Sequence, residues 1–546
     1  MRLRTCYTPA MRIRRLFPAS LLVLTLVAPA VLAAQAHHAH PRRSAAAPTG
    51  TLAERIQRIV SAPDVAQDHF GISVSTLDGK QIYGMEDARL FMPASNAKLV
   101  TTAAAFALLP VNSLTWTTNI VADGPVDATG TLHGNLILLG VGDPTLSNRI
   151  YPYHEPDAAG PDTQKARTMA VLELLAQQVV QSGVRAIDGN VIGDDSYFLS
   201  EPYGTSWSWD DLQWDYGAPA SALTFNDNTV DLEFLPDAGA SSGLLPVWNP
   251  PIDYYTLEST VTAAPEGQQA HPGLSHMPGS LLVRAWGTAP RQGLETALAV
   301  NDPAEYTALA FDRALEQTGI QVKGTSTSAH RLPNDTGDFS AERNQHLILS
   351  PVTLSTVEAP LNGRRVLATH VSIPVDQDIQ LTNKISQNLH AELLLRLLGK
   401  LCGSDGSLEQ GTRVVRQFLN DAGIPNDEFF FYDGSGMSMD DRIAPRALTQ
   451  LLAYASRQPW GTQWQQTFPI AGEDGTLVHR FLHSPLKGRL WAKTGTLNET
   501  ASLSGYLRAD SGKMIAFSIL VNGHLPGDEA HRQAVERICE AIAASE

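Results

Sequence analysis

Pro93-Ala94-Ser95-Asn96-Ala97-Lys98-Leu99-Val100-Thr101-Thr102-Ala103-Ala104-Ala105-Phe106-Ala107-Leu108-Leu109-Pro110 is the stretch from which the rest of the chain is read. Pro93 pre-sets the backbone for a first helical turn. The run from Ala97 to Leu109 is rich in good helix formers and stops at Pro110. Ser95 then lies at a helix N-terminus, with Lys98 one turn on and within reach of its hydroxyl. A serine hydroxyl is a weak nucleophile until a base takes its proton. Lysine is such a base only when burial or a neighbouring cation lowers its pKa. The S-x-x-K pattern alone is weak, since about one match arises by chance in a chain of this length. Ser484-Pro485-Leu486-Lys487 is a second match, but Pro485 and the following Gly488 make it a loop.

Two further motifs follow in order. Ser386-Gln387-Asn388 precedes the apolar helical run from Leu389 to Leu398, and read alone it is a helix-capping pair. Lys493-Thr494-Gly495 is more specific, because the chain has nine lysines. It sits in Arg489 to Leu497, which reads as a strand, and a glycine in a strand marks close approach by another backbone or a ligand. The ordered set S-x-x-K, S-x-N, K-T-G is similar to that of the active-site serine penicillin-recognising enzymes. The chain thus resembles D-alanyl-D-alanine carboxypeptidases and serine β-lactamases. That resemblance implies an acyl-serine mechanism with no metal, no cofactor and no catalytic histidine. Lys493 is the expected neighbouring cation that lowers the pKa of Lys98.

The flanks read as one sheet split between the two ends of the chain. Thr51 to Ile59 is an amphipathic helix, His69 to Thr76 alternates as a strand, and Asp78-Gly79 turns into a return strand at Gln81. Beyond Lys493, Ser502 to Arg508 and Met514 to Val521 are strands, and Asp528 to Ala544 is helical. The resemblance implies an α+β fold: a β-lactamase/transpeptidase-like catalytic domain with a five-stranded antiparallel sheet, flanking helices and a helical subdomain. Nearly three hundred residues separate Ser95 from Ser386, several-fold more than in compact β-lactamases. One or two inserted α+β domains are expected over 111–374, leaving 51–110 and 375–546 as a discontinuous catalytic domain. Within the insert, Asn135 to Gly140, Val191 to Gly193 and Leu281 to Ala285 read as strands, and Met169 to Val180 and Tyr306 to Gln317 as helices.

The insertion narrows the resemblance to the soluble low-molecular-mass penicillin-binding proteins of the carboxypeptidase/endopeptidase group. Gly142-Asp143-Pro144-Thr145-Leu146, Asp211 to Pro219, Asp433-Gly434-Ser435-Gly436 and Ala471 to Leu477 carry it further. It implies Ser95 as nucleophile, Lys98 as base, Ser386 as proton relay and Asn388 as orienting group. The Ser95 and Thr496 backbone N–H groups would form the oxyanion hole, and Lys493 and Thr494, beside Gly495, would bind the terminal carboxylate. Asp211, Tyr216 and Ser435 would line a pocket for the peptide side chain, with Asp211 meeting an ammonium group. Relatives often carry an arginine just after the D-G-S-G-x-S run, to hold the carboxylate of meso-diaminopimelate. This chain has Met439 there, with Arg442 three residues on, so the diamino acid stays open.

The chain start reads as a signal peptide over 1–36, followed by a linker over 37–50. Arg2, Arg4, Arg12, Arg14 and Arg15 precede the apolar run Ser20 to Ala28, and either Met1 or Met11 suits as start. That run is too short for a final membrane anchor. An exported, periplasmic protein without an integral anchor is expected. The net charge of −16 argues against nucleic acid and anionic membranes as partners. Peptidoglycan peptides are the implied substrates and β-lactams the implied inhibitors, while a homodimer is among the states left open. Cys402 and Cys539 remain after signal removal, either bridged or as free thiols. Rival readings are a serine β-lactamase, against which the long insert argues, and a non-catalytic wall-binding homologue. Intact Ser95, Lys98, Ser386 and Lys493 argue against the latter.

Overall fold

The computed structural model describes residues 50–155, 168–237, 243–333 and 345–546. The signal segment and all of the linker but Gly50 lie outside them. One antiparallel sheet is built from both ends of the chain, in the order Gln81–Met85, His69–Thr76, Met514–Asn522, Thr500–Arg508, Leu490–Leu497. Period-two alternation sorts its faces. Phe70, Ile72 and Val74 join Leu503, Ile519 and Val521 in a core closed by Ile56, Ile538 and Ile542 of the terminal helices Leu52–Val60 and Ala530–Ala543. The first of these helices starts on a reciprocal cap: Thr51 Oγ1 accepts from Glu54 N, and Glu54 Oε2 accepts from Thr51 N. Ser73 points the other way and hydrogen-bonds Thr449 of the helix Pro445–Ser456 at 2.8 Å.

That second face carries a larger, mostly helical core. Its centre is the helix Ala97–Leu108, of whose residues all but Ala107 are buried. A helix apolar on every side is what a core-spanning position requires. Around it pack Val375–Ile385, Asn388–Cys402 and Leu408–Asp421. The expected five-stranded sheet, flanking helices and helical subdomain are therefore all present.

Between Leu109 and Pro374 the chain builds sheets of its own. The largest runs Ser326–Ala329, Val191–Asp194, Asn135–Leu139, Thr115–Asp123, Thr356–Glu358, with Arg365–Val371 also paired to Thr115–Asp123. Helices Ala170–Gln181 and Pro303–Gln317 pack with it into a separate core around Leu136, Leu175, Phe225, Tyr306 and Phe311. Smaller sheets, one of Thr229–Pro236, Leu244–Asn249 and Leu294–Ala299, another centred on Leu282–Ala289, extend this body. Cys402 and Cys539 are free thiols attached to different cores.

One loop joins the helical layer to the Ser95 turn at very close range. Gly436 has φ +83°, and a Cβ there would lie 1.9 Å from the carbonyl oxygen of Ala94. Ala94 itself holds φ +47°. We expect Gly436→Ala to lose about 2 kcal/mol or more of stability, through backbone strain and this clash. It should also slow acylation of Ser95. Parallel thermal melts and penicillin-binding kinetics check this; native values for both would mean the contact is dispensable.

Candidate active site

The three motifs, far apart in sequence, meet at one point. Ser95 lies in the single turn Ala94–Asn96 that leads into Ala97–Leu108, and Lys98 occupies the first turn of that helix. Ser386 follows the end of Val375–Ile385 in a left-handed conformation, φ 64° and ψ 38°. Gln387 caps the next helix, and Asn388 is its first residue. Lys493 lies in the edge strand Leu490–Leu497, held against the serine turn by Asn96 Nδ2, which donates to the Lys493 carbonyl at 3.0 Å. Gly495 makes this approach feasible. A Cβ there would lie 2.2 Å from Ser502 Oγ and 2.9 Å from both the Pro93 carbonyl oxygen and the Ser95 nitrogen.

Lys98 is fully buried, and its Nζ reaches three oxygens: Ser95 Oγ at 2.9 Å, Asn388 Oδ1 at 2.6 Å and the Ser435 carbonyl at 2.7 Å. Three acceptors satisfy the three protons of an ammonium. Two of them, the amide oxygen and the carbonyl, can only accept. Ser95 Oγ alone of the three carries a proton it can give. When Lys98 is neutral, its two N–H bonds can stay on Asn388 and Ser435, and its free electron pair then faces the Ser95 hydroxyl. Burial lowers the Lys98 pKa to about 7, against the opposing pull of Asp433 and Glu392. The lysine is thus poised to change charge near neutrality.

Of the two expected causes, burial or the neighbouring Lys493, burial is the larger. Lys493 is also fully buried, and its own pKa is pushed well down, first by burial and then by Lys98. Lys493 Nζ donates to Ser386 Oγ at 2.8 Å and to the Thr494 carbonyl at 2.8 Å. The Thr494 hydroxyl is 2.7 Å from that of Thr476, and Thr496 is exposed.

The expected side-chain pocket is brought together in part. Tyr216 donates its hydroxyl to Asp211 Oδ1 at 2.9 Å, and its carbonyl accepts from Asn388 Nδ2 at 2.8 Å. The residues after Leu109 therefore touch the motif set directly. Burial raises the Asp211 pKa against the Tyr216 hydrogen bond. Ser435, expected to border that pocket, instead lies fully buried under Lys98 and contributes its carbonyl. Met439 joins Met92, Met437, Trp207, Tyr216 and Leu497 in an apolar cluster. Arg442 is committed to the carbonyls of Met439 and Asp441, at 2.9 and 2.7 Å. Ser484 lies outside this group and donates to Glu540 at 2.7 Å.

Several residues of the site escaped sequence reading. Asn96 and Thr476 sit inside quoted motifs, but nothing marked their side chains as structural. Glu392 Oε1 accepts from the Gly434 and Ser435 nitrogens, both at 2.9 Å, while its Oε2 accepts from Arg396. Asp433 accepts from Gly436 N, Ser438 N and Trp207 Nε1. These carboxylates shape the loop that presents the Ser435 carbonyl. Buried Asp441 has its pKa raised well above the usual range, by burial and then by Asp433. A group that binds its proton more tightly when folded costs stability as pH rises above its unfolded pKa of about 4. Asp441→Asn keeps an acceptor for Tyr432 N and a donor toward Asp433 while removing that cost. Denaturant melts at pH 5 and pH 8 should find it at least as stable as the native protein at pH 8. Asp433→Asn, which turns a donor on donors, should lose about 2 kcal/mol. A marked loss at pH 8 for Asp441→Asn would mean the acid is ionised.

Comparison with known proteins agrees with this geometry. The D-Ala-D-Ala carboxypeptidase 3 (S13) family matches residues 52–337 and 343–544. The chain is 28% identical over 496 residues to a D-alanyl-D-alanine carboxypeptidase of Actinomadura sp. (strain R39), covering 87% of this chain and 81% of that one. It is 25% identical over 465 residues to the D-alanyl-D-alanine carboxypeptidase DacB of Haemophilus influenzae, covering 84% and 86%. The crystal structure of penicillin binding protein 4 (dacB) from the same organism shares the fold, with TM-score 0.70 at 23% identity over 89% of this chain and 98% of that one. It has also been solved with a β-lactam, a form that matches with TM-score 0.65 at 22% identity over 90% and 99%. The chain belongs to the D-Ala-D-Ala carboxypeptidase 3 (S13) family and is a serine D-Ala-D-Ala carboxypeptidase.

Proposed function

We propose that Ser95 is the nucleophile and Lys98 its base in the hydrolysis of the D-Ala–D-Ala bond of peptidoglycan stem peptides. The observation that carries this is the three-way contact of buried Lys98, in which Ser95 is the one partner with a proton to give. Neutral Lys98 takes the Ser95 proton as Oγ attacks the penultimate carbonyl carbon. The N–H groups of Ser95 and Thr496 stabilise the oxyanion. Ser386, hydrogen-bonded to Lys493, relays the proton now on Lys98 to the leaving amine, the carbon–nitrogen bond breaks, and Lys98 is neutral again. Water then cleaves the ester, releasing the shortened peptide and restoring the Ser95 hydroxyl. Lys493 and Thr494 hold the terminal carboxylate of the substrate. A β-lactam acylates the same serine, a reading supported by the β-lactam complex of the Haemophilus relative.

The catalytic unit in this proposal is 51–110 with 375–546, and 111–374 is an insert that supplies Asp211 and Tyr216 to the substrate side chain. Cross-linked peptides, in which the same D-Ala carbonyl is bonded to the side-chain amine of a neighbouring diamino acid, are substrates too. The protein is exported to the periplasm on its N-terminal segment. Among the described residues, no helix is long and apolar enough to cross a membrane.

The acylation rate should rise with pH through a midpoint near 7, as Lys98 loses its proton. Lys98→Arg, whose guanidinium keeps its proton, should lower it by about 10² to 10⁴-fold. Peptide mapping should find the penicilloyl group on Ser95. A flat acid limb, an active arginine variant or an adduct on Ser484 would sink the assignment.

Asp211→Asn should reduce kcat/KM for peptides with an amine-bearing side chain by about tenfold, the loss of one charged hydrogen bond. It should leave acylation by benzylpenicillin, which has no such amine, nearly unchanged. Equal losses on both would mean that Asp211 only stabilises its loop.

A further inference from the structure

Asn388 is flanked by two residues that a single carboxylate grips. Gln387 caps the helix, its Oε1 accepting from Leu389 N at 2.8 Å, and its Nε2 donates to Asp227 Oδ2 at 3.0 Å. Two residues later His390 places Nε2 3.3 Å from Asp227 Oδ1 and Nδ1 2.7 Å from Asp378 Oδ1. Arg149 completes the cluster, donating from Nε and Nη2 to Asp227 Oδ2 at 2.8 and 2.5 Å. His390 is 1% and Asp227 8% exposed.

The cluster is electrically balanced. Burial opposes charge on His390, but Asp378 and Asp227 together raise its pKa to about 9. Burial likewise opposes charge on Asp227, and Arg149 and His390 overcome it and hold the carboxyl well below its usual range. Two cations thus face two carboxylates, with the Tyr151 hydroxyl donating to Asp378 at 3.3 Å. Removing one member of so buried a set leaves an uncompensated charge.

The backbone beneath Asp227 is unusual. Asn226, Asp227 and Asn228 have φ of 51°, 54° and 56°, three consecutive residues in the left-handed region. Such a run persists where surroundings over-determine it, and it recurs at sites where geometry serves function. Here side chains pin it: Asn228 Nδ2 donates to the Pro219 carbonyl, Asn226 Nδ2 to the Thr229 carbonyl, and Asn228 Oδ1 accepts from Phe225 N. The strained turn delivers one carboxylate to the base of the helix that begins with Asn388.

We propose that Asp227 is a positioning residue for catalysis: by gripping Gln387 and His390 on either side of Asn388, it fixes the amide that aims the Lys98 electron pair at Ser95. Asn388 has no freedom to turn without breaking its bonds to Lys98 and to the Tyr216 carbonyl, yet those bonds need the helix start to be held in place. The motif alone does not hold it. The hold comes from residues 149 and 227, remote in sequence. This rests on the reading of Lys98 as base.

The test is stopped-flow acylation by benzylpenicillin with the full-length purified protein. Rates are taken per active site, with sites counted by burst titration, across pH 5 to 10. For Asp227→Asn we expect the plateau rate per active site to fall by about tenfold or more, the scale set by small misplacements of a reacting group. The acid-limb midpoint should move down, because the Lys98 ammonium has lost a well-placed acceptor. Asp227→Glu, which keeps the charge, should recover part of the rate. A purely structural role predicts something else: a lower melting temperature and fewer titratable sites, with unchanged rate and midpoint per site. That result would overturn the proposal. Should Asp227→Asn fail to fold, Gln387→Met decides by the same two readouts. A native acid limb that is absent, or insensitive to Lys98→Arg, would instead indict the base assignment itself.

Discussion

A fully buried lysine amine that must change charge is the constraint around which the molecule is organised. Taking an ammonium out of water costs several kcal/mol unless acceptors replace the lost solvent. Lys98 finds those acceptors in three separate stretches of chain. One is its own turn, one lies 290 residues on at Asn388, and one lies 337 residues on at Ser435. The fold can be viewed as the means of bringing these together. The Ala97–Leu108 helix carries the lysine through the core, and the helix start at Asn388 and the loop at Asp433 to Ser438 close on it. Glu392 and Asp433 hold that loop through its own N–H groups and also support positive charge on the lysine.

Thr115–Asp123 leaves the helical layer and Arg365–Val371 returns to it, and these two strands are antiparallel neighbours, with Thr117 opposite Val371. Ser372 then accepts from Trp116 N at 2.8 Å. Entry and exit lie side by side, so the residues between them close the chain at small entropic cost. Many further contacts tie those residues to the catalytic side, among them Trp207 to Asp433, Glu201 to Arg396 and Leu408 N, and Glu155 to Gly475 N. The Arg149–Asp227–His390–Asp378 cluster and the Asn388–Tyr216 contact are the ties placed at the helix that completes the lysine site.

Sequence carried the local half of this and little of the long-range half. Ser95, Lys98 and Lys493 were legible because each motif is a short stretch whose spacing follows from a helical turn or a strand. The five strands were legible from alternation and turn residues, His69–Thr76 to the residue and the other four to within one or two residues at an end. The left-handed conformation of Ser386 was not, since no glycine or asparagine marks it. Ser435 was placed in the wrong surroundings because its contribution is a carbonyl, which every residue type possesses. Asp227 and His390 carry no motif at all. Their meaning comes from a contact across 163 residues, which composition and periodicity do not encode.

The two lysines show why burial alone does not define a role. Both are fully enclosed and both have depressed pKa values. Asp433 and Glu392 support charge on Lys98, so its proton is retained to about neutrality, and in the proposed mechanism Lys98 exchanges it with Ser95. Charge on Lys493 is opposed by burial and by Lys98 together, and its Nζ donates to a hydroxyl and a carbonyl. A substrate carboxylate brought beside Lys493 works against both of those penalties, because an opposite charge within about 4–6 Å favours the charged form. If Lys493 holds the terminal carboxylate as proposed, binding of that carboxylate and protonation of Lys493 are one coupled event: the counter-charges beside Lys98 belong to the protein, and the one beside Lys493 arrives with the peptide.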